Sequence, residues 1–347
     1  MLVKDIGEFH LINILANTLS SSPDTNSNIE WIDELGFKLQ VPLGDDAAGW
    51  FAPQGINVFT TDTMVEGVHF NLNHIDWEDL GRKALSINLS DIAAMGCHPT
   101  FSVVTLGLRE DLPVNGLINV YKGILETCQT YGGLVVGGNI VKSSEFFISI
   151  AMQGRLGQHE NKDSDQPHLL TRTSASPGDE IYVTGPLGCS AGGLKMMMDE
   201  LQFDSNTANH LKRAHNRPTP RISEGVSLAE NQIKSAIDIS DGLADDLWKL
   251  CNSSNVASEI HFDQVPVDEF LRSAFPNNWI DLALNGGEDY ELLFTAPPDS
   301  QERLNSILDS PPYLIGTILD GNPNLRILDA KGNVMTHKID GWDHFAH

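Results

Sequence analysis

Cysteine is scarce in this 347-residue chain, and its four copies lie far apart. They are Cys97, Cys128, Cys189 and Cys251, with no CxxC spacing, so we predict neither a disulfide framework nor a cysteine zinc site. The first residues lack the basic and apolar regions of a signal peptide, and no apolar run approaches the length of a membrane span. We therefore expect a protein without a membrane segment that works in a reducing cytoplasm.

Basic residues are also few. Lys and Arg total 22 against 47 Asp and Glu, and the formal net charge is -25. This balance argues against nucleic acid and acidic membrane surfaces as partners, since both attract basic proteins. A need for solubility accounts for much of this excess of acidic residues. An acidic protein also binds polyanionic ligands, however, when metal ions lie between the charges.

Several common signatures of phosphate and metal chemistry are missing. The chain has no GxxxxGK[ST] loop, no HRD or DFG segment and no HExxH sequence. These absences exclude P-loop enzymes, protein kinases and the HExxH metalloproteases. The histidines show no metal-ligand spacing in the sequence.

Length and hydrophobic content fit two domains better than one core. Two polar stretches, 20–28 and 158–168, have the composition of surface loops. We place the boundary at the second stretch, which gives domains at 1–157 and 169–347. The patterns predict strands at 56–61, 101–108, 134–136, 146–153, 180–184, 236–239 and 291–295, and helices at 77–95, 114–131, 194–198 and 242–250. This order predicts α+β domains over a doubly wound sheet.

Acidic residues recur at the ends of these elements. Asp45 and Asp46 lie in a turn, where an Asx cap and a metal site are equally good explanations. Asp62 ends a predicted strand in the run Thr60-Thr61-Asp62-Thr63. Aspartate is disfavoured in strands, and ligand groups are often mounted at strand ends, so Asp62 is the more informative residue.

The helix at 77–95 carries the strongest physical signal. Its apolar stripe runs from Leu80 to Ile87 in helical steps and then meets Asp91. A carboxylate on a buried face is costly unless it is paired or binds a metal. Arg82 and Lys83 are the structural alternatives as partners, but their helix positions point away from the stripe. A functional role for Asp91 is therefore favoured.

Three further segments combine glycine with acidic or amide groups. They are Gly137-Gly138-Asn139, Asp238-Ile239-Ser240-Asp241-Gly242 and Asn285-Gly286-Gly287-Glu288-Asp289-Tyr290. Each alone also fits a plain turn or a helix cap. Mg²⁺ prefers carboxylate and phosphate oxygens and takes only one or two carboxylates per ion. Several acidic element ends together therefore predict more than one ion around a nucleotide.

In their order along the chain, these motifs resemble the thiamine-monophosphate kinase family. The matching segments are 44–46 (GDD), 60–63 (TTDT), 67–70 (GVHF), 88–96 (NLSDIAAMG), 238–242 (DISDG), 286–292 (GGEDYEL) and 341–345 (GWDHF). The resemblance spans nearly the whole chain. The wider superfamily includes aminoimidazole ribonucleotide synthetase and selenophosphate synthetase.

The resemblance implies a fold and an activity. The fold would be α+β, with an N-terminal ferredoxin-like domain of the aminoimidazole ribonucleotide synthetase type that dimerises through its sheet, and a C-terminal α/β domain. ATP would lie in a cleft between them. The activity would be direct in-line transfer of a phosphoryl group from ATP to thiamine monophosphate in a homodimer, with Mg²⁺ required and K⁺ a candidate cofactor. Because the acceptor is a phosphate oxygen that is already ionised, no general base is needed.

The resemblance also assigns residues. Metal ligands would be Asp46, Thr61, Asp62, Asp91, Asn139, Asp238 and Asp241. ATP contacts would be Thr60, Thr61, Gly138, Asn139, Arg172 and Ser240, and thiamine monophosphate contacts would be His69, Glu288 and Trp342. The catalytic set would be Asp46, Asp62, Asp91, Asp241 and Arg172.

One position departs from the family pattern. The expected Gly-Gly-Asp-Thr is Gly137-Gly138-Asn139-Ile140 here, so a carboxylate ligand has become an uncharged amide. We expect the site still to form, with one ion held more weakly. One alternative is a nucleotide-binding homologue with little or no turnover, which Asn139 alone supports. Another is a different enzyme of the superfamily, against which Glu288 and Trp342 argue.

Overall fold

The computed structural model describes residues 1–20, 25–157 and 167–335. They form two compact units. The first comprises Met1–Ile92 and His98–Leu156, and the second comprises Ala93–Cys97 and the described residues after Leu156. Most of the predicted loop at 158–168, part of that at 20–28 and the segment carrying Trp342 lie outside the described residues. Among the helices that are described, every one is too short or too polar to cross a membrane.

The first unit combines helices with a four-stranded sheet and a two-stranded ribbon. Its helices are α1 (Glu8–Ser20), α2 (Thr25–Glu34), α3 (Trp77–Ala94) and α4 (Val114–Tyr131). Its strands are β1 (Lys38–Val41), β2 (Gly49–Phe51), β3 (Asn57–Val65), β4 (Cys97–Leu108), β5 (Leu134–Lys142) and β6 (Phe147–Leu156). The predicted loop at 20–28 is wrong at both ends, because Ser20 ends α1 and Thr25 begins α2.

The four-stranded sheet has the order β3-β6-β4-β5. β3 runs antiparallel to β6, with Asp62 opposite Ile150, and β4 runs parallel to β5. Alternate side chains of a strand point to opposite faces. Ile150 is buried, whereas Phe59 and Val103 remain 71% and 39% exposed. The sheet therefore has one covered face and one open, partly apolar face.

The four strands of this sheet are all longer than the sequence predicts, and two of the extensions move site residues. β3 continues to Val65, so Asp62 lies inside the strand and not at its end. β5 continues through Gly137 and Gly138 to Lys142, so Asn139 lies in a strand and not in a turn. The parallel partner β4 explains the second case, since its backbone hydrogen bonds hold the glycines extended.

Close packing of α3 against α4 fixes the position of α3. A Cβ atom at Gly81 would lie 1.9 Å from the carbonyl oxygen of Val120, and one at Gly123 would lie 1.9 Å from that of Glu78. Only glycine permits so close an approach of two helix backbones. The position of Asp91, near the end of α3, follows from this packing.

The second unit is built around a six-stranded sheet in the order β12-β9-β11-β7-β10-β8. Its strands are β7 (Glu180–Val183), β8 (Ser235–Asp238), β9 (Ala257–His261), β10 (Leu292–Ala296), β11 (Tyr313–Leu319) and β12 (Asn324–Leu328). Its helices are α5 (Cys189–Met198), α6 (Ser205–Asn216), α7 (Ile222–Glu230), α8 (Leu243–Ser254), α9 (Glu269–Ala274), α10 (Trp279–Asn285) and α11 (Gln301–Ile307).

The α+β class is confirmed, but the doubly wound sheet is wrong. Neighbouring strands of the second unit pair antiparallel except β12 with β9. Helices and strands alternate along the sequence, yet β7 and β8, which follow one another, are separated by β10 in the sheet. The sequence order of elements does not reveal this pairing.

Candidate active site

Two aspartates of the first unit meet between β3 and α3. The Thr60 hydroxyl donates a hydrogen bond to the Asp91 carboxylate. The backbone N–H of Asp62 donates to the side-chain oxygen of Asn88 at 3.2 Å. The side-chain amide of Asn88 in turn donates to the carbonyl oxygen of Ala84 at 3.1 Å. These bonds lock the strand to the helix where the two carboxylates face one another.

The electrostatics of this pair favour a cation. Burial, and then the negative charge of Asp91, raise the pKa of Asp62 to about 6. A bound divalent cation would relieve both effects, because it offsets the lost solvation and the repulsion. Two carboxylates beside the hydroxyl of Thr60 are hard oxygen donors of the kind that Mg²⁺ prefers. The residues present therefore fit a magnesium ion.

Arg82 is not the structural partner of Asp91. Its guanidinium contacts Glu78 at 2.7 Å, Asp79 at 2.8 Å and Glu126. For Arg82 the prediction agrees with these contacts. For Lys83 the prediction that it points away from the buried face is wrong, because Lys83 is 1% exposed and lies one helical turn from both Leu80 and Ile87.

Other predicted residues of the first unit lie apart from this pair. Thr61 alternates with Asp62 along β3 and donates its hydroxyl to the carbonyl oxygen of Ile150 at 3.0 Å. Asn139 is exposed on β5, and its side-chain oxygen accepts the N–H of Ile140 at 3.0 Å. Both belong to the open face of the sheet. The metal ligands predicted in this unit are thus divided between its two faces.

Asp46 and His69 lie in turns. The Asp45 carboxylate accepts the N–H of Asp46 at 2.8 Å, which is the Asx turn that the sequence left as an alternative. Asp46 is exposed, and its own carboxylate has no hydrogen bond or ion pair with a described residue. Nδ1 of His69 accepts the N–H of Val65 at 3.1 Å and so closes the turn after β3.

A carboxylate that the sequence analysis missed organises the acidic loop of the second unit. Oδ2 of Asp246 accepts the N–H groups of Ser240, Asp241 and Gly242 at 2.9, 2.9 and 3.1 Å. Asp246 is 1% exposed. A cap of α8 was one alternative for this segment, but the N-cap residue is Gly242 and makes no side-chain cap hydrogen bond; Asp246 instead holds the loop that leads into the helix. Its place in the first turn of an acidic helix start was the available signal.

One ammonium group lies among three carboxylates at this loop. Nζ of Lys249 contacts Asp245 at 2.7 Å, Asp246 at 2.9 Å, and also Asp241. Burial lowers the pKa of Lys249, but the carboxylates, with Asp246 first, outweigh burial and leave it above its usual range. Oxygen atoms of the three carboxylates lie within 4.8 Å of one another. They also fit a metal ion, which would share them with Lys249.

Two more predicted residues belong to the second unit. Asp238 ends β8, is 3% exposed and lies opposite Leu292 of β10. Arg172 is exposed, and its guanidinium makes no ion pair with a described residue. Its backbone carbonyl accepts the hydroxyl of Ser254 at 2.7 Å, which anchors the segment that carries it.

The loop before β10 is held in a strained conformation. Glu288 and Tyr290 have φ angles of 64° and 53°, in the left-handed region that side chains disfavour. Their N–H groups donate to the carbonyl oxygens of Ser240 and Ile239 at 2.8 and 2.9 Å. A Cβ at Gly287 would lie 2.5 Å from the Ser240 oxygen. Such strain concentrates at functional sites. The two hydrogen bonds join this loop to the acidic loop at 238–242, which was also predicted to belong to the site.

The acidic side chains of this loop have different roles. Asp289 accepts the N–H groups of Gly188 and Ser190 at 2.7 and 3.3 Å and so holds the start of α5. Burial raises the pKa of Asp289 to about 8. Glu291 is 7% exposed and pairs with Arg221 at 2.5 Å. Asp289 and Glu291 are therefore structural, and the substrate role of Glu288 stays a prediction.

Glu288 is itself oriented by a buried histidine. Its Oε2 lies 3.3 Å from Nδ1 of His215, and the Ser190 hydroxyl lies 3.2 Å from the same nitrogen. His215 is 5% exposed. His215 was not predicted from the sequence, because none of the motifs contains it.

Family models and relatives match the chain over most of its length. "AIR synthase related protein, N-terminal domain" matches residues 44–156, and the corresponding C-terminal domain matches 176–327. Thiamine-monophosphate kinase of Aquifex aeolicus is 34% identical over 350 aligned residues, covering 99% of this chain and 100% of the relative. This chain belongs to the thiamine-monophosphate kinase family. The Escherichia coli K12 family member is 35% identical over 89% of this chain and 93% of its own.

Solved structures of thiamine-monophosphate kinases agree with the fold. That from Stenotrophomonas maltophilia K279a has a TM-score of 0.77 at 29% identity and covers 91% of this chain and 98% of its own. The structure of AaThiL complexed with AMPPCP and TMP has a TM-score of 0.73 at 32% identity and covers 99% of both chains. The predictions of a thiamine-phosphate kinase and of ATP as co-substrate are confirmed at this level. The residue roles stay predictions.

Proposed function

We propose that this thiamine-monophosphate kinase transfers the γ-phosphoryl group of ATP directly to the phosphate of thiamine monophosphate in a Mg²⁺-dependent reaction. A relative complexed with AMPPCP and TMP supports the two substrates. The meeting of Asp62 and Asp91 beside Thr60 is the observation that carries the metal dependence.

The chemistry requires charge neutralisation and positioning. Two anionic phosphates must approach in line, and Mg²⁺ held by Asp62 and Asp91 would supply the positive charge. Thr60 restrains the Asp91 carboxylate, and Asn88 restrains the backbone of Asp62. The acceptor phosphate oxygen is already ionised, so no residue needs to remove a proton from it. This is consistent with a site rich in acids and without a catalytic histidine.

In the second unit, Asp238 and Asp241 are the proposed metal ligands. Lys249 already contacts Asp241, so a metal ion there would share that carboxylate, and Lys249 would keep Asp245 and Asp246. Ser240 and Arg172 are the proposed ATP contacts of this unit, and Gly138 is that of the first. The exposed guanidinium of Arg172 suits a phosphate.

Thiamine monophosphate carries a cationic thiazolium ring. Glu288 is the proposed counter-charge, and its contact with His215 sets its orientation. His69 is the second proposed contact, and its Nδ1 accepts the N–H of Val65, which restrains the orientation of the ring. Trp342, the third, lies outside the described residues.

A homodimer is proposed through the open face of the four-stranded sheet. Phe59, Val103 and Val141 are exposed there although all three are apolar. A second copy covering this face would bury them, which is the usual role of such a patch. In this proposal residues 1–157 bind ATP and Mg²⁺ and dimerise, and residues 169–347 complete the active site. The free, buried state of all four cysteines agrees with the proposed cytoplasmic location.

A nucleotide-binding homologue with little turnover is the second candidate, because of Asn139. That residue lies on the open sheet face, whereas Asp62 faces α3. Its amide therefore leaves the Asp62–Asp91 pair intact, which favours the active kinase.

K⁺ is also a proposed cofactor. Comparing the kinase activity with and without K⁺ would test this.

The deciding experiment incubates the purified protein with ATP, Mg²⁺ and thiamine monophosphate and measures thiamine diphosphate and ADP. We expect equal amounts of both products. Nucleotide binding without product would support the inactive homologue. ADP formed only with another phosphorylated acceptor would support a different enzyme of the superfamily.

A further inference from the structure

Three metal-ligating side chains meet in the second unit outside the carboxylate loops. Cys189 is the first residue of α5, His210 lies in α6, and Asp268 precedes α9. Their ligand atoms all lie within 4.8 Å of one another. The residues are far apart in sequence, so spacing alone could not reveal the group.

The distances suit a tetrahedral ion. Sγ of Cys189 lies 3.8 Å from Nε2 of His210, and that nitrogen lies 3.2 Å from Oδ2 of Asp268. Bonds of about 2.3 Å to sulfur and about 2.0–2.1 Å to nitrogen and oxygen place tetrahedral zinc ligands about 3.4–3.6 Å apart. These two distances lie within a few tenths of an ångström of that range, and the third, between Sγ of Cys189 and the Asp268 carboxylate, is within 4.8 Å.

The three ligands are also held in place by their surroundings. Oδ1 of Asp268 accepts the N–H of Phe270 at 2.8 Å, which leaves Oδ2 directed at His210. The Phe270 ring stacks on His210 at 4.4 Å between centroids. Cys189 is buried against Leu271 in an apolar cluster. Such outer contacts orient ligands and strengthen metal sites.

The group is more exposed at its histidine and aspartate than at its cysteine. Cys189 is 7% exposed, whereas the side chains of His210 and Asp268 are 37% and 26% exposed. An ion can enter past the histidine and the aspartate and keep water as its fourth ligand. Three protein ligands and one open position form a usual zinc arrangement.

We propose that Cys189, His210 and Asp268 bind a thiophilic divalent cation of the Zn²⁺ class. Sulfur and imidazole ligands select such ions, whereas Mg²⁺ prefers oxygen. The proposed ion is therefore distinct from the magnesium of the kinase reaction, and this inference does not rest on that reaction.

Binding would replace one proton. Burial, and then the charges of Asp268 and Asp289, raise the pKa of the Cys189 thiol to about 12, so the free site holds a protonated thiol. The proton leaves to solvent as the sulfur–metal bond forms.

The ion would connect three helices. It would join the start of α5 to α6 and to the first turn of α9, next to Ser190, whose N–H is held by Asp289. Since such an ion binds only the folded chain, it should raise the thermal midpoint.

Cobalt titration of the metal-free full-length protein, in excess Mg²⁺, tests the proposal. We expect one Co²⁺ per chain with a thiolate-to-cobalt charge-transfer band, displaced by Zn²⁺. Cys189→Ser should abolish the band, and His210→Asn or Asp268→Asn should weaken binding by at least about tenfold.

Two controls separate this site from general effects. Cys251→Ser removes another buried thiol, one that contacts Ser258, and Glu269→Gln removes the charge beside Asp268. Both should keep the band and the Co²⁺ affinity. If Cys189→Ser fails to fold, the histidine and aspartate variants carry the test. A wild-type protein without the band, or a band that survives in all three ligand variants, would overturn the proposal.

Discussion

The two acidic clusters of this protein look alike in sequence but differ in how their charge is balanced. Asp62 and Asp91 face one another in the first unit, and the pKa of Asp62 rises to about 6. In the second unit, Lys249 lies among Asp241, Asp245 and Asp246. An added cation would relieve the burial and the repulsion that raise the pKa of Asp62, whereas an ion at the second cluster would have to share its carboxylates with Lys249. The balance of charge, and not the number of acids, therefore decides which cluster gains more from an added cation.

Substitution of Asp62 should produce the largest effect and the clearest contrast. We expect Asp62→Asn to lower kcat by at least about 100-fold, because a carboxylate that would hold the Mg²⁺ neutralising the transferred group is lost. Product formation at saturating ATP and Mg²⁺ measures this. Asp33→Asn, which changes an exposed aspartate of the same unit, is the control and should retain activity. Near-normal kcat in Asp62→Asn would show that the pair is structural.

Asp246 and Asp245 provide a matched pair in the second cluster. Asp246→Ala should lower the free energy of unfolding by about 2–4 kcal/mol, because three backbone N–H groups and Lys249 lose their buried acceptor. Asp245→Ala, which removes an ion pair alone, should cost below about 1 kcal/mol. Urea unfolding compares them. Equal losses would contradict the role of Asp246 in holding the loop at 240–242.

The stability of the metal-free protein should depend on pH through Asp62. Its raised pKa means that the folded state favours the protonated carboxyl, so this stabilisation is present below the unfolded value of 3.8 and is lost as pH rises through about 6. At pH 7 the free energy of unfolding of Asp62→Asn should therefore exceed that of the wild type by about 1–3 kcal/mol. Added Mg²⁺ should reduce this difference, because it would stabilise the wild-type carboxylate pair. Thermal unfolding between pH 4 and about pH 7 measures this. A wild-type protein as stable as the variant at pH 7 without metal would contradict it.

Asn139 should have the smallest effect. Asn139→Asp restores the charge expected in the family and should lower the Mg²⁺ concentration for half-maximal activity by up to about tenfold. A Mg²⁺ titration of the kinase reaction tests this, with Asn73→Asp as a control for added charge. An unchanged Mg²⁺ requirement would remove Asn139 from the predicted metal ligands.

The sequence predicted the elements well where one local pattern determines them. The helix at α4 and the start of α3 were placed correctly, because apolar periodicity and capping signals are local. β3 and β5 were drawn too short, because the pairing that extends them comes from distant strands. The doubly wound sheet was wrong for the same reason.

In the candidate site, too, residues that break a local pattern were predicted, whereas residues that only the fold brings together were not. Asp62 and Asp91 were selected because carboxylates are unexpected in a strand and on an apolar helical stripe, and the structure brings them together. Asp246 and His215 were missed, because their roles arise from buried contacts to residues that no motif connects to them. The group of Cys189, His210 and Asp268 was missed for that reason too, since only the fold brings its members close.

Counting bound Mn²⁺ in place of Mg²⁺ tests the central claim most directly. Electron paramagnetic resonance with the ATP analogue AMPPCP present would compare the wild type with Asp62→Asn, using Asp33→Asn as the control. We predict that Asp62→Asn loses at least one bound Mn²⁺ per chain, or binds it at least about tenfold more weakly. Identical stoichiometry and affinity in the two proteins would contradict the assignment of Asp62 and Asp91 as the cation site.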